Sequence, residues 1–117
     1  IVSSGLEKVL EIINSRFHPD SWNVYCFQCS DGDNWPSDIE KTQNLAEKIK
    51  NVCQLFGYCE IEPDSERLKW VDESSRMSTT YTHLEDKNFK IVKIFQKQDI
   101  WPSFQTLFGK KALTVGV

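Results

Sequence analysis

Three short runs rich in aromatic and β-branched residues, Trp22–Cys29, Tyr58–Ile61 and Phe89–Phe95, alternate with stretches whose apolar residues recur every three or four positions. A period of two giving way repeatedly to a period near 3.6 marks strand–helix–strand units, in which successive strands lie parallel and the crossovers are right-handed. The expected fold is therefore α/β: a partial doubly wound, Rossmann-type domain in three layers, with about three parallel strands. At 117 residues the chain has room for one domain. It is expected to occupy residues 1–109, with 110–117 as a tail.

The first stripe, Leu6, Val9, Leu10, Ile13 and Phe17, predicts a helix over Ser4–Arg16 with Glu7, Lys8 and Glu11 on its other face. On the strand Trp22–Cys29, Val24 and Cys26 point one way and Tyr25, Phe27 and Cys29 the other. Both faces are apolar, so a central strand covered on each side is expected. Ser30–Pro36 is dense in turn formers and leads into Ser37-Asp38-Ile39-Glu40, whose serine and glutamate spacing reads as a capping box. Ile39, Leu45, Ala46, Ile49, Val52, Cys53 and Phe56 form the next helical stripe, and Gly57 is expected to cap its end. Pro63–Arg67 reads as a turn, Leu68–Val71 as the return strand of a small hairpin, and Ser78–Asp86 as a short helix with Tyr81 and Leu84 inward. Asp99 should cap a last helix ending at Gly109, in which Ile100, Trp101, Phe104, Leu107 and Phe108 have the spacing of a core face.

Composition excludes several functions. Fourteen basic against 17 acidic residues give a net charge of −3, which lacks the positive footprint that phosphate backbones require. Nucleic acid is not expected as a partner. No apolar stretch has the roughly 18–20 residues that span a bilayer, and none reads as a signal peptide, so a soluble, cytoplasmic protein with no membrane partner is expected. A chain that is 39% hydrophobic can build a core without cross-links, and Cys26, Cys29, Cys53 and Cys59 are expected to be free thiols. The chain opens at Ile1 and enters helical periodicity at once; a piece of a longer protein is expected.

Asp31 and Asp33 follow a strand and precede a helix, where carboxylates can reach magnesium or manganese through oxygen. The alternative is a turn, since Asp, Asn and Gly satisfy backbone groups locally. A calcium EF-hand loop is ruled out, because Trp35 and Pro36 stand where an oxygen ligand and glycine are needed. Cys26-x-x-Cys29 suggests a zinc or redox pair, with Cys53 and Cys59 to complete four ligands, but residues three apart on a strand face opposite ways, so the cysteines read as small buried hydrophobes. His18 and His83 are isolated, Lys90 and Lys93 read as ordinary solvated charges, and neither a nucleophile signature nor a glycine-rich phosphate loop is present.

The segment Trp22-Asn-Val-Tyr-Cys-Phe-Gln-Cys-Ser-Asp-Gly-Asp-Asn-Trp35, the opening Ile1-Val-Ser-Ser-Gly and the ending Asp99-Ile-Trp-Pro-Ser-Phe-Gln-Thr-Leu-Phe108 together resemble the bacterial YeaH/YhbH-type family, most of all the C-terminal part of its sporulation-associated members. The resemblance implies the C-terminal half of a von Willebrand A-like domain. In such a domain a metal-ion-dependent adhesion site combines an Asp-x-Ser-x-Ser motif, a threonine and an aspartate in a Ser/Thr-Asp-Gly turn. Ser30-Asp31-Gly32 matches the last of these, which makes Asp31 the implied metal ligand; Asp33 has no role in the pattern. The first motif is absent from the chain, so the site is a remnant, with magnesium or manganese expected in the full-length protein and no cofactor in this part.

The implied function is a non-enzymatic protein-interaction module in stress or sporulation physiology, with a PrkA-type serine kinase or a SpoVR-type protein as partner. The alternative is a magnesium-dependent phosphohydrolase of haloacid-dehalogenase type, with Asp31 as nucleophile and Asp33 as acid. Loss of neighbouring strands would leave an open edge along 22–29, and self-association through that edge is expected.

Overall fold

The computed structural model describes residues 1–62 and 76–115, with side chains described as far as Gly109. Seven main elements follow in chain order. Helix α1 covers Val2–Arg16, β1 Tyr25–Ser30, α2 Ile39–Val52, β2 Leu55–Ile61, α3 Met77–Tyr81, β3 Phe89–Ile94 and α4 Ile100–Val115. The strands form one parallel sheet in the order β1-β2-β3, with Cys29 beside Cys59 and Cys59 beside Val92 in register. This is the expected α/β architecture.

Register assigns the faces. Cys26, Gln28 and Ser30 share one side with Phe56, Tyr58 and Glu60, while Phe27 and Cys29 share the other with Gly57 and Cys59. On the first side lies the main core, where Leu6, Ile13, Ala46 and Ile49 from α1 and α2 meet Phe56, Tyr58, Tyr81 and Phe89. Phe56 stacks on Phe89 at 4.5 Å, and Tyr81 meets Phe56, Tyr58 and Phe89 edge-on. On the second side α4 presses Leu107 onto Cys59 and Val92 in a much smaller cluster.

Several local expectations need correction. Within the described sheet β2 is central, buried along six of its seven residues, while the strand beginning near Trp22 forms the open edge expected along 22–29. That strand starts at Tyr25, lies at the outer edge of the described sheet and leaves Tyr25 58% exposed. The second helix ends at Val52, and Phe56 and Gly57 belong to β2. Gly57 is therefore no cap: a Cβ there would lie 2.8 Å from the Phe27 ring and 3.0 Å from Leu107 Cδ2, so its missing side chain makes room for the second layer. Nor does Ser37 cap α2, which is entered through a tight turn at Pro36–Asp38. Asp99 closes a capping box around Gln96, accepting from the Phe95 and Gln96 backbone N–H groups at 2.9 and 3.1 Å.

The largest difference concerns α4. Trp101, Phe104 and Phe108 are exposed, and Leu107 and Ser103 form its buried stripe. Helical spacing placed them on shared faces, but the described residues cover these only in part: Phe108 meets the Phe27 ring at 5.2 Å, while Trp101 stays 67% exposed. Gly109 is non-helical inside α4, and the backbone continues in helix to Val115. Tyr81 and Leu84 are buried in a helical turn, as their spacing predicted. The expected turn at 63–67 and hairpin at 68–71 lie outside the described residues.

Candidate functional site at the strand ends

Parallel strands bring their carboxyl ends to one edge of the sheet, so the loops after β1 and β2 meet. Ser30 closes β1, and its Oγ accepts the Gly32 N–H at 2.9 Å. Asp31 Oδ1 accepts the Asp33 N–H at 3.0 Å, an Asx turn that fixes the loop from within. Gly32 holds φ +91, a left-handed backbone that glycine adopts without strain. Its carbonyl accepts the Met77 N–H at 2.9 Å, which ties the loop to the start of α3.

Under Gly32 lies a buried charged cluster that the sequence reading missed. Glu60 is fully buried and accepts Tyr58 Oη–H at 2.9 Å, the Ser78 N–H at 3.0 Å and the Ser78 hydroxyl at 2.9 Å. Arg76 Nη2 stands 3.4 Å from Glu60 and also pairs with Glu62, and all three charged side chains are buried. A charge this deep is tolerated only when paired and hydrogen-bonded. The glycine is required here as well, because a Cβ at position 32 would sit 2.6 Å from Arg76 Nη2 and 2.8 Å from Glu60 Oε1. One signal was legible: Tyr58, Glu60 and Glu62 alternate on one face of a strand that is otherwise apolar.

Two phenols extend this polar floor. Tyr81 Oη donates to Gln28 Oε1 at 2.7 Å. Burial pushes the Tyr58 and Tyr81 hydroxyls above their ordinary range, so both serve as donors rather than phenolates.

Asp31 and Asp33 are exposed above this floor. With Gln28 and Ser30 they line a cleft of about 570 Å³ between β1 and α1, whose opposite wall carries Val2, Leu6 and Val9. Asp38 is buried, accepting the Ser3 N–H at 3.0 Å, the Ser3 hydroxyl at 2.5 Å and the Thr42 hydroxyl at 3.0 Å. These bonds anchor the start of α1 beside α2.

The remaining candidates are placed apart. His18 and His83 are both exposed, on separate turns. Lys90 Nζ donates to the Thr106 and Leu107 carbonyls at 3.2 and 3.4 Å, so it closes the last turn of α4 before Gly109 and is not a simply solvated charge. Cys26 and Cys29 point to opposite faces, and all four cysteines are free thiols. Cys53 and Cys59 are buried and Cys26 half-buried, but Cys29 is exposed, against the expectation of a small buried hydrophobe. Among the described residues no group of three or more His, Cys, Asp or Glu side chains surrounds a common point. A divalent cation prefers about six oxygens, so Asp31 would contribute one ligand of a larger set. No described helix is long and apolar enough to cross a membrane.

The family described as "Protein of unknown function (DUF444)" matches residues 1–111. A UPF0229 protein of Ruminiclostridium cellulolyticum is 41% identical over 110 residues, which cover 93% of this chain and 26% of that protein. UPF0229 proteins of Bacillus cereus and Yersinia pestis are 32% and 37% identical, across 96% and 97% of this chain and 27% and 26% of their own lengths. The chain thus spans about a quarter of the length of the curated relatives it matches. No solved structure matches it.

Proposed function

The chain belongs to the DUF444 family, and we propose that within the longer family proteins it acts as a non-enzymatic protein-interaction module that presents Asp31 to a divalent cation. The carrying observation is the rigid seat of that carboxylate. Asp31 is exposed at the end of a parallel strand, on a loop pinned by Ser30, by its own Asx turn, by Met77 and by the close fit of Gly32 against Glu60 and Arg76. A ligand held in this way loses little conformational freedom when an ion arrives.

Magnesium or manganese would supply positive charge that bridges Asp31, ligands from elsewhere in the longer protein and an acidic group of the partner. The likeness of Ser30-Asp31-Gly32 to the third element of a von Willebrand A-like adhesion site supports this reading. It also makes a PrkA-type kinase and a SpoVR-type protein, in stress or sporulation physiology, the partners to test. No observation favours the phosphohydrolase alternative with Asp31 as nucleophile and Asp33 as acid.

The test is calorimetric titration of magnesium and manganese into the intact protein and into its Asp31→Ala variant. Saturable binding lost in the variant is expected. Equal binding by both proteins, or none by the natural one, would overturn the proposal.

A further inference from the structure

Cys29 and Cys59 are direct neighbours in the β1–β2 ladder and point to the same face of the sheet. Parallel neighbours lie about 4.8 Å apart, inside the roughly 4.4–6.8 Å between Cα atoms that a disulfide spans. The surroundings of the two thiols differ: Cys29 is exposed, whereas Cys59 is buried against Val92 and Leu107. An accessible sulfur beside a sequestered one matches an attacking and a resolving thiol. We propose that Cys29 and Cys59 form a dithiol modification site, oxidised reversibly to an intrachain disulfide by a low-molecular-weight disulfide of the glutathione class.

The steps balance. The Cys29 sulfur attacks one sulfur of the small disulfide and forms a mixed disulfide, and its proton leaves with the first small thiol. The Cys59 sulfur then displaces the second small thiol, which takes the Cys59 proton. Two protein thiols are oxidised and one small disulfide is reduced to two thiols. A bridge between directly opposed strand positions departs from relaxed geometry, which makes it easy to reduce and suits it to reversible use.

The other cysteine pair provides an internal comparison. Cys26 and Cys53 both belong to the main core on the opposite face, but Cys53 is buried and Cys26 half-buried, so small disulfides reach neither readily. Burial pushes these thiols up to about 11 and about 12, and Cys59 to about 11, and Cys29 is the entry point because it is the exposed thiol. Cys29 directly precedes Ser30, and Cys59 precedes Glu60. The bridge would therefore stitch the two strands just below the Asp31 loop, whether or not that loop binds metal.

The experiment treats the native, intact protein with oxidised glutathione, blocks remaining thiols with an alkylating agent and digests without reduction. Chymotrypsin with trypsin serves because cleavage after Phe27 and Tyr58 separates Cys26 from Cys29 and Cys53 from Cys59, and cleavage after Lys41 or Lys50 separates Cys29 from Cys53. The expected product is a Cys29–Cys59 linked peptide pair, lighter by two hydrogens and released by dithiothreitol, with Cys26 and Cys53 alkylated only after unfolding. Cys29→Ser, at an exposed position that does not threaten folding, should abolish the link. A glutathione adduct that stays on Cys29 with Cys59 still free would overturn the proposal, as would a Cys26–Cys53 bridge or a Cys29-linked dimer.

Discussion

Replacing Gly32 with alanine tests whether the Asp31 loop is shaped by the buried cluster beneath it. At φ +91 a Cβ clashes with its own backbone, at about 1–2 kcal/mol. Independently, that Cβ would sit 2.6 Å from Arg76 Nη2 and 2.8 Å from Glu60 Oε1. Both are the ends of buried, mutually paired side chains, and displacing them is an overpacking strain of about 1–3 kcal/mol. The sum, about 2–5 kcal/mol, is a large share of the roughly 5–15 kcal/mol by which domains are stable. With a urea slope of about 2 kcal/mol per molar, the middle of the usual range, the unfolding midpoint should fall by roughly 1–2.5 M with little change in slope. Gly5→Ala is the control: nothing lies within 4 Å of its Cβ position, and it sits inside α1. There alanine should raise stability by about 0.5–1 kcal/mol. A Gly32→Ala protein within 0.5 kcal/mol of the parent would show that the loop is not packed on Glu60 and Arg76, and the rigid seat assigned to Asp31 would go with it.

Two further outcomes follow from the same geometry. Burial alone would raise the Asp38 carboxyl, but donors from Ser3, Thr42 and Asn34 outweigh it and hold the group below its ordinary 3.8. Its stabilising contribution is therefore present above pH 3.8 and is lost as pH falls through the lower, folded-state value. Asp38→Asn should cost about 1–3 kcal/mol at pH 7, with the gap between variant and parent closing in urea melts below pH 3; a gap independent of pH would refute the assignment. Trp101 is 67% exposed on α4, so Trp101→Ser should change stability by less than about 0.5 kcal/mol while lowering the binding of a fluorescent apolar dye to the aromatic face. A loss of several kcal/mol would place the indole in a core.

Much of the architecture was legible because its causes are local. Leu6, Val9, Leu10 and Ile13 recur at helical spacing and do form the inner stripe of α1. Phe89–Ile94 carries its strand signature within six residues. The Ser30-Asp31-Gly32-Asp33 run was read as a turn after a strand because its hydrogen bonds close within two residues. The run from Val52 to Tyr58 was ambiguous, being apolar enough to finish a helix or begin a strand. Tertiary pairing settled it: Phe56 and Gly57 lie in the ladder between Cys26–Phe27 and Phe89–Lys90.

The sequence by itself determined the order of strands and helices, their parallel sense and the place of the Asp31 loop at the carboxyl ends, since these follow from short-range periodicity and chain handedness. Only the tertiary structure decided that β2 is central, that the aromatics of α4 face outward and that Gly57 clears space for Phe27 and Leu107. It alone brought Arg76 to Glu60 across 16 positions, and Cys29 beside Cys59 across 30. The physical reason is common to all of these. Periodicity states which residues share a face, but which element covers that face, and which buried charge finds a partner, depend on contacts between segments far apart in the chain.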